Sequence, residues 1–218
     1  MTIHHIFYIP TIFVLGLVVG TMINSKGEKN TVTKEAPYKT SAKLLLQSFL
    51  IFIIVFVITH VYEIPAGVKA VSRLLGGMDI FDKHPIFSAT QVYERIESFP
   101  DAGLQTYRRF TYTIDVLFPV SLFIFLFTFV RFVSQRVAIP TYLSKAFISL
   151  PFLWLGFDLI ENAVIFTILS GFPHRYYFLA SSLGSITIVK FGLLFLSILT
   201  PSLFLTLGKK KSGVSKHF

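Results

Sequence analysis

Five stretches of this chain are apolar almost throughout, and each is long enough to cross a bilayer as a helix. They are about 6–23 (IFYIPTIFVLGLVVGTMI), 44–62 (LLLQSFLIFIIVFVITHVY), 111–133 (TYTIDVLFPVSLFIFLFTFVRFV), 146–170 and 185–207 (SITIVKFGLLFLSILTPSLFLTL). At 1.5 Å per residue, about 20 residues span the roughly 30 Å of hydrocarbon. Lipid offers backbone amides and carbonyls no partner, and a helix satisfies them within one segment. Only 14% of residues are charged and 25 are phenylalanine. A soluble domain is about 25% charged. The expected fold is all-α, a polytopic membrane protein of five transmembrane helices: one N-terminal helix plus a four-helix bundle.

The expected organisation is an N-terminal transmembrane helix over 1–23, a flexible cytoplasmic linker over 24–43, the bundle over 44–207 and a basic tail over 208–218. The leader MTIHH lacks Lys and Arg, and no small-residue cleavage site follows, so the first helix reads as retained. Gly16 and Gly20 form a G-x-x-x-G pair of the kind that lets another helix approach. Orientation follows from the basic residues. Lys26, Lys29, Lys34, Lys39 and Lys43 precede the second span, Arg131, Arg136 and Lys145 join the third to the fourth, and Lys209, Lys210, Lys211 and Lys216 end the chain. All lie on one side if the N-terminus is outside and the C-terminus cytoplasmic.

The long loop 63–110 balances six basic against six acidic residues. In PIFSATQVYERIESFPDAG, Ser88 caps a helix with Gln91 three residues on, and Val92, Ile96 and Phe99 recur at helical spacing. Pro100 ends that helix and Asp101 caps the next, which should run into the third span. One or two short helices are expected to lie on or cap the outer end of the bundle.

The fourth span contains FDLIENAV, which sets Asp158, Glu161 and Asn162 in otherwise oily sequence. Spacings of three and four put all three on one helical face. A carboxylate near the bilayer centre costs roughly 2.5–3.5 kcal/mol, so that face should turn inward. Company is available: Lys190 about a third of the way into the last span, with Thr187, Leu194 and Ser197 on its face; Asp115 near the outer end of the third span; His60 and Glu63 at the outer end of the second. Four helices thus offer ionisable groups at one depth, which predicts a polar pocket in the outer half of the bundle. Two readings stand open. The pocket binds a hydrophobic or amphiphilic small molecule, with Asp158 or Glu161 as acid or base, Asn162 as hydrogen-bond donor and Lys190 as counter-charge. Alternatively the cluster is an ion-pair network that only fixes helix register. A proton-coupled transporter is a further alternative. Because three acids face one lysine, at least one acid is expected to lack a partner.

Other chemistry is sparsely represented. His60 and Glu63 are too few for a metal site, His4 and His5 read as interfacial, and no metal or cofactor is expected. There is no cysteine, no phosphate-binding loop and no nucleophile or zinc motif. The net charge of +9 gathers beside apolar runs, a membrane-surface pattern and not a nucleic-acid one. Arg108 and Arg109, and Tyr176 and Tyr177, mark headgroup levels. Membrane lipids are the expected partners, and a small hydrophobic ligand, a second copy or another membrane protein remain open.

Residues 80–207 resemble a group of small bacterial integral membrane proteins with no established activity. The resemblance rests on VYERIESFPDAGLQTYRRF, on DVLFP with Asp115 and Pro119, on FDLIEN, on GFP and on the lysine of the last span. It implies the bacterial inner membrane. The opening HHIFYIPTIFVLGLVVG resembles N-terminal segments of other bacterial membrane proteins. A fainter likeness is to four-helix sterol-isomerase-like proteins, whose pockets use acidic and amide side chains.

Overall fold

The computed structural model describes residues 40–65 and 67–208, and all its regular elements there are helical. The expected first span, its glycine pair, most of the linker and the basic tail lie outside the described residues. Four helices are long and apolar enough to cross a membrane: Ala42–Val61, Asp101–Arg136, Tyr142–Gly171 and Tyr177–Leu207.

Helix α1 (Ala42–Phe56) starts at Ser41, whose side chain accepts from the Leu44 amide. It widens into a π turn over Val57–Val61. Helices α5 (Ile114–Arg136), α6 (Thr141–Gly171) and α7 (Tyr177–Leu207) form the rest of the bundle, with α6 and α7 sharing its most extensive interface. Helix α5 is central and touches α1, α6 and α7, whereas α1 packs mainly on α5. That seam is aromatic: Phe52 stacks on Phe125 at 5.9 Å, and Phe49 lies 5.2 Å from Phe125. Leu122, Phe123, Leu126 and Trp154 fill the mid-bundle core. At the end away from the cap, the Thr40 amide donates to Gln135 Oε1 at 2.7 Å and Arg136 donates to the Thr40 carbonyl at 3.3 Å.

Helices α6 and α7 each have 31 residues, about 46 Å of helix against roughly 30 Å of hydrocarbon. The surplus is used by the 63–110 loop, which folds into a cap of α2 (Val68–Leu74), a 3-10 turn (Phe81–Lys83), α3 (Ala89–Glu97) and α4 (Asp101–Thr111). Its core of Val71, Leu75, Phe81, Val92, Ile96 and Tyr107 is continuous with Ile165, Ile168 and Leu169 of α6 and Ala180 and Leu183 of α7. The cap therefore holds three helices and not one or two. Helix α2 was missed because its seven residues are too few to show a period. Helix α7 begins about two turns before the expected 185, since Ala180, Leu183 and Gly184 pack on the cap and not on lipid.

The Ser88 cap forms as its spacing predicts, with Ser88 Oγ accepting from the Gln91 amide. Pro100 separates α3 from α4, and Tyr112 and Thr113 interrupt the passage from α4 into α5. Two glycines permit close backbone contact. A Cβ on Gly103 would meet the Leu74 carbonyl. At Gly184 the amide donates to Ile86 O at 3.0 Å, and a Cβ would come within 2.7 Å of that oxygen.

Candidate functional site

Helix α6 turns one face inward: Trp154, Asp158, Glu161, Asn162 and Ile165 are all buried. Their neighbours Leu159, Ile160 and Phe166 are exposed on the outer face of the bundle, where lipid would lie. The residues that share the buried face are spaced by three and four, so one amphipathic stripe accounts for them all. Helix α7 meets this face with Thr187, Lys190 and Ser197, also buried.

The ammonium of Lys190 donates to Glu161 Oε2 and lies 3.4 Å from Asp158 Oδ1. Glu161 is completely buried, and its second oxygen accepts from the Thr187 hydroxyl. That hydroxyl also lies 2.9 Å from the Leu183 carbonyl, which it can serve as donor. One hydroxyl carries one hydrogen, so Thr187 satisfies one of these two acceptors at a time.

Asp115, in the first turn of α5, is buried beside this group and interacts electrostatically with Asp158, Glu161 and Lys190. Lys190 forms no ion pair with it. A fourth acid arrives from the cap. Asp82, in the 3-10 turn, lies close enough to act electrostatically on Asp115, Asp158, Glu161 and Lys190. Its Oδ1 is buried without a hydrogen-bond partner, as is Asn162 Nδ2. The turn is held by Tyr107, whose buried hydroxyl accepts from the Phe81 amide at 2.6 Å.

Asp82 was not among the sequence candidates. The stretch FDKHP lies in a polar loop where an aspartate is ordinary, and only the docking of the cap brings it over the bundle. Its one local signal was the adjoining Phe81, an apolar anchor that is 1% exposed.

His60 and Glu63 do not join the acids of α6. Glu63 is half exposed and pairs with Arg73 of the cap. His60 stacks on Phe56 and meets the edge of Phe118, bonds to the Thr59 hydroxyl at 2.7 Å, and senses Asp82 and Lys83. The expected contribution from α1 fails because α1 packs on α5 and makes no substantial contact with α6 or α7. Three helices and a cap turn, not four helices, supply the ionisable groups. Among the described residues no three metal-ligating side chains converge.

Within the cap, burial raises the Tyr93 hydroxyl above its usual titration range, and this hydroxyl accepts from the Tyr176 amide. Arg175 pairs with Glu97 nearby. These contacts tie the α6–α7 connection to α3.

The four apolar helices define the class: an all-helical integral membrane protein. Compared with family models, curated proteins and solved structures, the chain matches none.

Proposed function

We propose that the acid cluster beneath the cap is a proton-exchanging binding site for a hydrophobic or amphiphilic small molecule. On this reading the cap faces the outside of a bacterial inner membrane and the C-terminus the cytoplasm. The observation that carries the proposal is an imbalance of charge. Four carboxyl groups, Asp82, Asp115, Asp158 and Glu161, lie within electrostatic reach of a single lysine. Fully ionised in a medium of low dielectric, such a group would be prohibitively costly, so it holds protons that it can give and take. Lys190 engages Glu161 and Asp158 directly. Asp115 is thereby the carboxyl best suited to proton transfer, and Asp82 links it to the cap. Asn162 Nδ2 offers an unused donor, the type of group that a ligand carbonyl or hydroxyl satisfies.

The opposing reading, a purely structural network, is favoured by the way Lys190 joins α6 to α7 through two carboxylates. The two differ on Asp115, which makes no ion pair with Lys190. Trp154, the chain's single tryptophan, sits one turn before Asp158 on the same buried face, so its emission reports on the cluster. The test compares parent and Asp115→Asn, purified in mild detergent, by pH titration of tryptophan emission and by native mass spectrometry of co-purified small molecules. A binding site predicts that the variant stays folded, loses the co-purified molecule and changes the titration. If the variant keeps both the bound molecule and the parent titration, the proposal fails and the structural reading stands.

A further inference from the structure

A second feature lies at the foot of the cap, where α1 ends. An open surface depression of about 640 Å³ lies there, lined by His60, Lys69, Ser72, Arg73 and Lys83 and edged by the Gly76–Gly77 turn. Both glycines have positive φ (73° and 85°), a conformation side chains resist, so the turn can curl around the opening. No acidic residue lines it. Arg73 is held by Glu63 and Lys83 by Asp79, each from outside the lining. Lys83 in turn keeps the Asp79 carboxyl below the usual range. Lys69 has no ion-pair or hydrogen-bond partner among the described residues, which leaves the lining with an uncompensated cation.

Depth and surroundings say what such a depression can hold. The lining begins at His60, in the last turn of a membrane span, and continues into α2 of the cap, so the depression sits at headgroup level. Leading up to it along α1 and the π turn that follows is an exposed apolar stripe, Ile51, Ile54, Ile58 and Val61, each 44–57% accessible. The stripe has helical spacing and ends within one turn of His60. We propose that this depression binds the phosphate of an anionic phospholipid, with Lys69, Arg73 and Lys83 as its cationic contacts and an acyl chain along the α1 stripe. Fixed cations at a membrane surface recognise phosphate by charge and by N–H donation. The stripe distinguishes a lipid from a free anion, because inorganic phosphate has no use for apolar surface. This site adjoins the acid cluster through Asp82, which acts on His60, but the proposal does not rest on the proton-exchange reading.

The test uses the full chain in nanodiscs of phosphatidylcholine, with phosphatidylglycerol added in one arm and inorganic phosphate in another. Bound lipid is counted by native mass spectrometry and stability is followed by thermal unfolding. Phosphatidylglycerol should bind and raise the unfolding temperature, while phosphatidylcholine alone and inorganic phosphate do neither. Lys69→Gln, at an exposed and unpartnered position, should weaken phosphatidylglycerol binding about fivefold. Lys145→Gln, an exposed cation on α6, should leave binding unchanged. The proposal is overturned if Lys69→Gln binds like the parent, if both variants weaken binding alike, or if inorganic phosphate stabilises the protein as well as the lipid does.

Discussion

Replacing Lys190 with methionine tests the physics of the buried cluster most directly. The substitution keeps the length and apolar stem of the side chain and removes only the ammonium. Lys190 is 5% exposed and Glu161 0%, so the loss leaves Glu161 charged with one remaining partner, Thr187. Removing one member of a buried pair commonly costs about 3–5 kcal/mol. Proton uptake sets a ceiling on that cost. An ordinary glutamate titrates near 4.3, so neutralising one at about pH 7 costs roughly 3.7 kcal/mol, and at about pH 5 roughly 1 kcal/mol. Asp158 adds less, because it stands 3.4 Å from the ammonium and its side chain is 11% exposed. The expected defect is therefore about 3–4 kcal/mol near neutral pH, an unfolding temperature lower by roughly 7–15 °C, shrinking about threefold near pH 5. The sign follows from protons: the variant's folded state binds one more than the unfolded chain, so acid favours it. Adding Glu161→Gln to Lys190→Met removes the stranded charge and should recover most of the loss at neutral pH. The assay is thermal unfolding by circular dichroism in mild-detergent micelles at both pH values. A Lys190→Met protein as stable as the parent near pH 7, or one whose defect deepens in acid, would refute the argument.

Other outcomes follow from the cap. Tyr107→Phe removes the acceptor of the Phe81 amide and should cost about 1–3 kcal/mol. It should also loosen the turn that carries Asp82, seen as faster amide exchange at Phe81 and Asp82. Gly184→Ala places a methyl 2.7 Å from the Ile86 carbonyl and should cost about 1–3 kcal/mol. Gly192→Ala, where nothing lies within 4 Å of the added carbon, should be neutral or slightly stabilising in the same unfolding assay. Tyr93→Phe removes the acceptor of the Tyr176 amide and should raise protease sensitivity at the α6–α7 connection while costing only about 1 kcal/mol.

What could be read from the residues was local or periodic. Hydropathy located four helices that the structure contains, because lipid imposes one requirement on every residue of a span. Stripe spacing put Asp158, Glu161 and Asn162 on one inward face, and the same reasoning matched them with Lys190, since a buried carboxylate has few ways to be compensated. Ser88 and Pro100 marked helix ends through contacts a few residues away. Tertiary structure alone decided the rest. Asp82 reaches the cluster because Phe81 and Tyr107 dock a polar turn across a separation of 26 residues. His60 and Glu63 stay apart from it because α1 packs against α5 and not against α6. Depth along a span can be counted from a sequence, but azimuth around the bundle depends on which helices touch, and that is set by packing between distant segments.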